Sequence, residues 1–144
     1  MSLALLPFEY EAESSRILSV HKSKPFEELR EPVVSISEEA SLITGITDEM
    51  VAGRSIDPAQ VAAIVSEADL VIAHNAYFYR VMVEKHWDCF KAKPWTCTLF
   101  TINWLREGFS AGKLDYLRTQ LGWFYDGHQA FELVPHCWTV WRRC

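Results

Sequence analysis

The run Asp69-Leu70-Val71-Ile72-Ala73 constrains this 144-residue chain more than any other segment. It is short, unbroken and β-branched at its centre, and it leads straight into the polar pair His74-Asn75. A continuous apolar run of strand length is what a buried strand of a parallel sheet looks like. Helical patterns stand on either side of it. Upstream, Asp57-Pro58 reads as an N-cap with proline at the first helical position. Ala59 to Ala68 then carries Val61, Ile64 and Val65 on one side. Downstream, Tyr77–Trp87 reads as a helix, Pro94-Trp95-Thr96-Cys97-Thr98 as a strand and Leu99–Glu107 as a helix. Gly108–Gly112 reads as a loop, and Leu114, Leu117 and Leu121 predict a further helix that stops at Gly122. Strands alternating with helices indicate an α/β layered architecture, expected here as one domain over residues 1–144.

The N-terminal third differs in pattern. Leu3–Tyr10 is apolar and then alternates, as a strand would, and Arg16–His21 alternates again. The polar stretch Glu11–Ser15 between them suits a hairpin turn. Ser37-Glu38-Glu39 reads as a helix start with acid in the first turn, and Thr47-Asp48-Glu49-Met50 as a short helical turn closed by Gly53. The last helix is expected from about His128, with Pro135 inside it as a kink or break.

Composition excludes some functions. The net charge of −5, from 14 basic and 19 acidic residues, argues against a broad nucleic-acid surface, because phosphate neutralisation needs clustered Lys and Arg. The basic residues are scattered (Lys22, Lys24, Arg80, Lys91, Lys93, Arg142, Arg143), so nucleic-acid binding is expected to be weak and salt-sensitive. The four cysteines form no CxxC pair and no zinc-ligand spacing, which points to reduced thiols and a cytoplasmic protein. No signal peptide opens the sequence, and no apolar run approaches the roughly 20 residues of a membrane span.

Three segments then stand out together. Leu42-Ile43-Thr44-Gly45-Ile46-Thr47-Asp48-Glu49-Met50 resembles the Thr-Gly-Ile-Thr region of DnaQ-like (DEDDh) 3′–5′ exonucleases, which lies beside the terminal nucleotide in that family. The segment from Asp69 through His74-Asn75-Ala76-Tyr77-Phe78 resembles the family's second motif, a buried strand running into a His-Asn-Ala-x-Phe-Asp helix start. Asp126-Gly127-His128-Gln129-Ala130 resembles the third motif. Their order and spacing agree over nearly the whole chain. The resemblance implies an RNase H-like α/β fold, a mixed sheet flanked by helices. It also implies substrate contacts from Thr44, Gly45, Ile46, His74, Asn75 and Phe78, with His128 as general base.

The chemistry implied by the family is demanding. Two Mg²⁺ or Mn²⁺ ions held by four carboxylates activate a water and stabilise the leaving oxygen. This chain departs from the pattern at almost every acid. Tyr79 stands where the second motif has Asp, and Leu133 where the third has it. The strand that carries Asp-x-Glu should precede the present first strand, and Met1 stands beside that strand instead. Glu132 neighbours the Leu133 position, but one residue is about 100° of helix rotation, so it points elsewhere. His128 and Glu132 share a face at i,i+4, a spacing that suits a solvated or capping pair better than a metal site.

No metal or other cofactor is therefore expected. The favoured reading is a catalytically silent exonuclease-like domain with a binding or regulatory role. Two alternatives stand beside it. One is an active 3′–5′ exonuclease completed by another segment or a partner chain, and the other is a decayed product without function. With that strand absent, the strands at Leu3–Tyr10 and Asp69–Ala73 either close up and pair directly or leave edges without partners. A two-fold dimer, or a protein partner, is the expected remedy.

Overall fold

The computed structural model describes residues 1–14, 16–21 and 25–122. They are mixed α/β, with three two-stranded sheets and five α-helices, in two compact units, residues 1–57 and 58–122.

In the first unit, β1 (Ser2–Leu5) pairs antiparallel with β4 (Phe26–Leu29), and β2 (Phe8–Glu11) pairs antiparallel with β3 (Arg16–Val20). The stretch Leu3–Tyr10, expected as one strand, is therefore two strands in two ladders. Proline is the reason. Pro7 has no N–H to donate, and only its carbonyl joins the pairing, accepting from the His21 amide at 3.0 Å. The expected hairpin between β2 and β3 is present, with Phe8 and Tyr10 half-buried and Glu9 and Glu11 exposed, the alternation of a one-sided sheet.

Two short helices follow, α1 (Glu38–Thr44) and α2 (Asp48–Val51). Ser37 caps α1 as expected, its side chain accepting from the Ala40 amide at 3.2 Å. Gly45 closes α1 in the left-handed conformation (φ 69°) and sends its N–H back to the Ser41 carbonyl at 2.8 Å. No residue of α1 is buried, and Leu42 is 81% exposed. A seven-residue helix without a buried face depends on its ends. Among the described residues, the buried apolar side chains of this unit are Leu3, Val51 and Ile56.

The second unit is built around a strand–helix–strand crossover. After α3 (Pro58–Glu67), β5 (Val71–Ala73) runs parallel to β6 (Trp95–Cys97), with α4 (Ala76–Glu84) and a 3₁₀ turn (Asp88–Phe90) between them. Val61 and Val65 are buried on α3, with Ile64 half-buried on the same face. Lys93 closes the far end of α3: its ammonium donates to the carbonyls of Ser66 (3.1 Å) and Ala68 (2.7 Å), which have no helical partner. Phe90 meets Trp87 edge to face at a centroid distance of 6.5 Å and Trp95 at a tilt at 6.0 Å. A second cluster joins Ile102, Trp104 and Leu117 to Phe109, Tyr116 and Leu121, with α5 (Leu114–Gln120) supplying Leu117.

Two expectations need correction here. The strand at Asp69–Ala73 is only Val71–Ala73, and it is half-buried with one paired neighbour among the described residues. The helix expected over Leu99–Glu107 is a series of turns. Asn103 explains part of this: its side-chain oxygen takes the Arg106 amide at 3.2 Å, a local bond that competes with helix. Trp104 explains the rest, because its indole N–H is drawn to the Thr98 carbonyl at 3.1 Å and its own carbonyl receives the Phe109 amide at 2.8 Å. Among the described residues, no helix is long and apolar enough to cross a membrane.

Because α1 hangs on its caps, Ser37→Ala should loosen it by about 1 kcal/mol. Hydrogen exchange should then quicken roughly fivefold at the Ala40 and Ser41 amides, while the amides of β5 and β6 keep their rates.

Candidate functional site

The carboxyl ends of parallel strands are where an α/β unit gathers chemistry. Here the ends of β5 and β6 are stitched together by two side chains. The ladder continues one step past the strands, with the Thr98 amide donating to the Ala73 carbonyl at 3.1 Å. That step sets His74 beside Thr98, and His74 Nδ1 lies 2.9 Å from Thr98 Oγ1. Both residues are buried, His74 at 8% exposure and Thr98 at 1%. Cys97 makes the second stitch: its Sγ accepts from the Ala76 amide at 3.3 Å, serving one of the orphan donors that open α4.

His74 Nε2 has no hydrogen-bond partner among the described residues. Burial pulls the His74 pKa below its ordinary value, because a buried imidazolium loses hydration. The Gly112 backbone nearby opposes this and is the smaller influence. Gly112 is fixed by sterics: a Cβ there would lie 2.4 Å from Cδ1 and 2.7 Å from Nε1 of the buried Trp104 indole.

Asn75 makes the bend from strand to helix in the left-handed conformation (φ 64°, ψ 50°), which Asn adopts more readily than other non-glycine residues. The bend presents the first turn of α4 outward. Tyr77 is 78% exposed, Phe78 54% and Tyr79 42%. The Phe78 and Tyr79 rings meet edge to face at 5.4 Å. Thus His74, Asn75, Phe78 and Tyr79 come together in the second unit, with a buried histidine and a half-buried asparagine leading into an exposed aromatic turn.

Thr44, Gly45 and Ile46 belong to the first unit, where they form the C-terminal turn of α1. The Thr44 hydroxyl donates to the Ala40 carbonyl at 2.7 Å and accepts from the Ile46 amide at 3.3 Å. Its side chain is thus engaged in closing its own helix. His128, Glu132 and Leu133 lie outside the described residues. Among the described residues, no three His, Cys, Asp or Glu side chains converge on one point.

Sequence reasoning singled out His74 and missed Thr98, its partner. A signal was present: each strand is followed at once by a residue that forms hydrogen bonds, His74 after Ala73 and Thr98 after Cys97. With the two strands parallel and in register, those residues meet. Cys97 is half-buried and is not in a disulfide.

No protein-family model, curated protein or solved structure matches this chain significantly.

Two outcomes follow from this geometry. Gly112→Ala should destabilise the protein by about 1–3 kcal/mol, since the indole it would strike is buried and hydrogen-bonded; denaturant melts measure this. The lowered pKa of His74 also has a pH signature. Below its ordinary value of 6.5 the unfolded chain binds a proton that the folded ring resists, so stability falls as the solution is acidified through that value. Denaturation midpoints at about pH 7.5 and 5.5 should show a smaller acid loss in His74→Gln than in the parent, whatever the variant's absolute stability.

Proposed function

We propose that this chain is a catalytically silent relative of the DnaQ-like exonucleases, with an RNase H-like fold, and that it binds rather than cuts. The observation that carries the reading is Tyr79. It occupies the position where the second motif supplies a metal-binding Asp, on the same exposed turn as Tyr77 and Phe78 and directly after His74-Asn75. A phenol that ionises near pH 10 cannot replace a carboxylate as a ligand for a hard divalent ion. Leu133 supports the reading from the other motif, since a leucine offers no ligand at all.

What remains on that turn suits stacking. Exposed aromatic rings accept nucleobases of any sequence and add about 1–3 kcal/mol per base. The charge of −5 works against the strand's phosphates, so single-stranded nucleic acid is held weakly. A second copy or another protein is the stronger partner. Among the described residues each sheet has two strands, and so small a sheet gains stability from packing against a further element. The thiols of Cys89 and Cys97 are free, in keeping with a cytoplasmic setting.

A 3′-labelled oligonucleotide incubated with the protein and Mg²⁺ or Mn²⁺ should stay at full length. In the same samples, fluorescence anisotropy should report binding weaker than about micromolar. That binding should weaken further with added salt and with Phe78→Ala. Metal-dependent trimming that disappears in His128→Ala would overturn the proposal.

A further inference from the structure

Beyond the strand ends, the turns that replace the expected helix at 99–107 line an open cleft of about 420 Å³. Its volume is that of a small-molecule site, but its walls are mostly polar. Thr96 and Thr98 come from β6 and its end, and Thr101, Asn103, Arg106 and Glu107 from the turns, with Ile102 the one aliphatic residue.

The backbone that carries these groups is tied down. The Thr101 amide donates to the Cys97 carbonyl at 2.8 Å, the Arg106 amide to Asn103 Oδ1 at 3.2 Å and the Glu107 amide to the Asn103 carbonyl at 3.2 Å. The Thr98 hydroxyl is held from behind by His74. Thr96 and Thr101 bring their hydroxyl oxygens to 3.5 Å of each other.

An inventory of the polar groups shows what they lack. Asn103 has spent its oxygen on the Arg106 amide, so its NH₂ is the end left to bond. Arg106 forms no ion pair among the described residues, although Glu107 is next to it in the chain. The lining thus offers a guanidinium, an amide NH₂ and threonine hydroxyls, set against one carboxylate. Donors in excess around an unpaired guanidinium call for an oxyanion. A single carboxylate at the same lining calls for hydroxyl donors on the rest of the ligand.

We propose that this cleft binds a small hydroxylated organic anion. Arg106, Asn103 and the hydroxyls of Thr96 and Thr101 hold its phosphate or carboxylate group, and Glu107 accepts from its hydroxyls. One cation is too few for a polyanion, and the hydroxyl-rich wall excludes an apolar ligand. The overall negative charge acts little on a small ligand, because screening confines charge effects to about 8–10 Å. No residue lining the cleft is one of the exonuclease-like positions, and the inference does not rest on the reading above.

The test is titration of the full chain, followed by amide NMR, with ribose 5-phosphate, gluconate and neutral ribose. Ribose 5-phosphate or gluconate should bind with a Kd of about millimolar or tighter and move the amides of Thr101, Asn103, Arg106 and Glu107. Ribose should bind at least about tenfold more weakly. Which of the two anions binds better identifies the phosphate or the carboxylate as the preferred group. Arg106→Gln should weaken the anion at least about tenfold, and Thr101→Val should weaken it too. Arg54→Gln, in the other unit, should leave the affinity unchanged. Absence of binding up to about 10 mM, equal binding of ribose, or affinity untouched in both Arg106→Gln and Thr101→Val would overturn the proposal.

Discussion

The hydrogen bond between His74 and Thr98 holds the second unit's chemistry in place. It joins the ends of β5 and β6 just where the ladder runs out, and both of its partners are buried. On one side, it fixes the residue before Asn75 and so the angle at which α4 leaves the sheet. On the other, it fixes Thr98, whose carbonyl receives the Trp104 indole and whose side chain forms part of the polar cleft. Losing one partner would strand the other away from water, a far larger penalty than the net worth of the bond itself.

The sequence made local structure legible wherever a residue's own chemistry decides it. Ser37 caps a helix because its oxygen reaches the Ala40 amide, Pro58 opens one because its fixed φ fits, and Gly122 ends one with a positive φ. It was less legible where distant groups compete for the same backbone. The apolar pattern of Leu99–Glu107 suits a helix, yet the Trp104 indole finds the Thr98 carbonyl, and Asn103 takes an amide that a helix would have used. The N-terminal run fails differently: Pro7 divides a pattern that hydrophobicity alone carries straight through.

The candidate site was half legible. His74, Asn75 and Phe78 were marked by resemblance to the second motif, and the structure gives each a distinct physical setting: buried ring, left-handed bend, exposed aromatic. Thr98 and the cleft beyond it were not marked, because nothing within the segment 96–107 resembles a motif. Those residues share a surface only because the chain turns there instead of coiling. Thr44 shows the converse. It stood out by resemblance, and its hydroxyl turns out to be occupied by its own helix end.

The parallel pair β5–β6 is only three residues long, and all six of its residues are half-buried alike. A strand whose two faces are equally covered says nothing about how it should align with its neighbour, and sliding by one position would cost little in apolar burial. The alignment is encoded elsewhere, by polar anchors at both ends. Lys93 locks the entry, one residue before Pro94, by reaching back to Ser66 and Ala68. Cys97 and Thr98 lock the exit on Ala76 and His74. A one-residue slip would turn Thr98 to the opposite face and pull Lys93 off its carbonyls together. The ladder is short enough to be ambiguous, and the side chains that flank it work as a vernier.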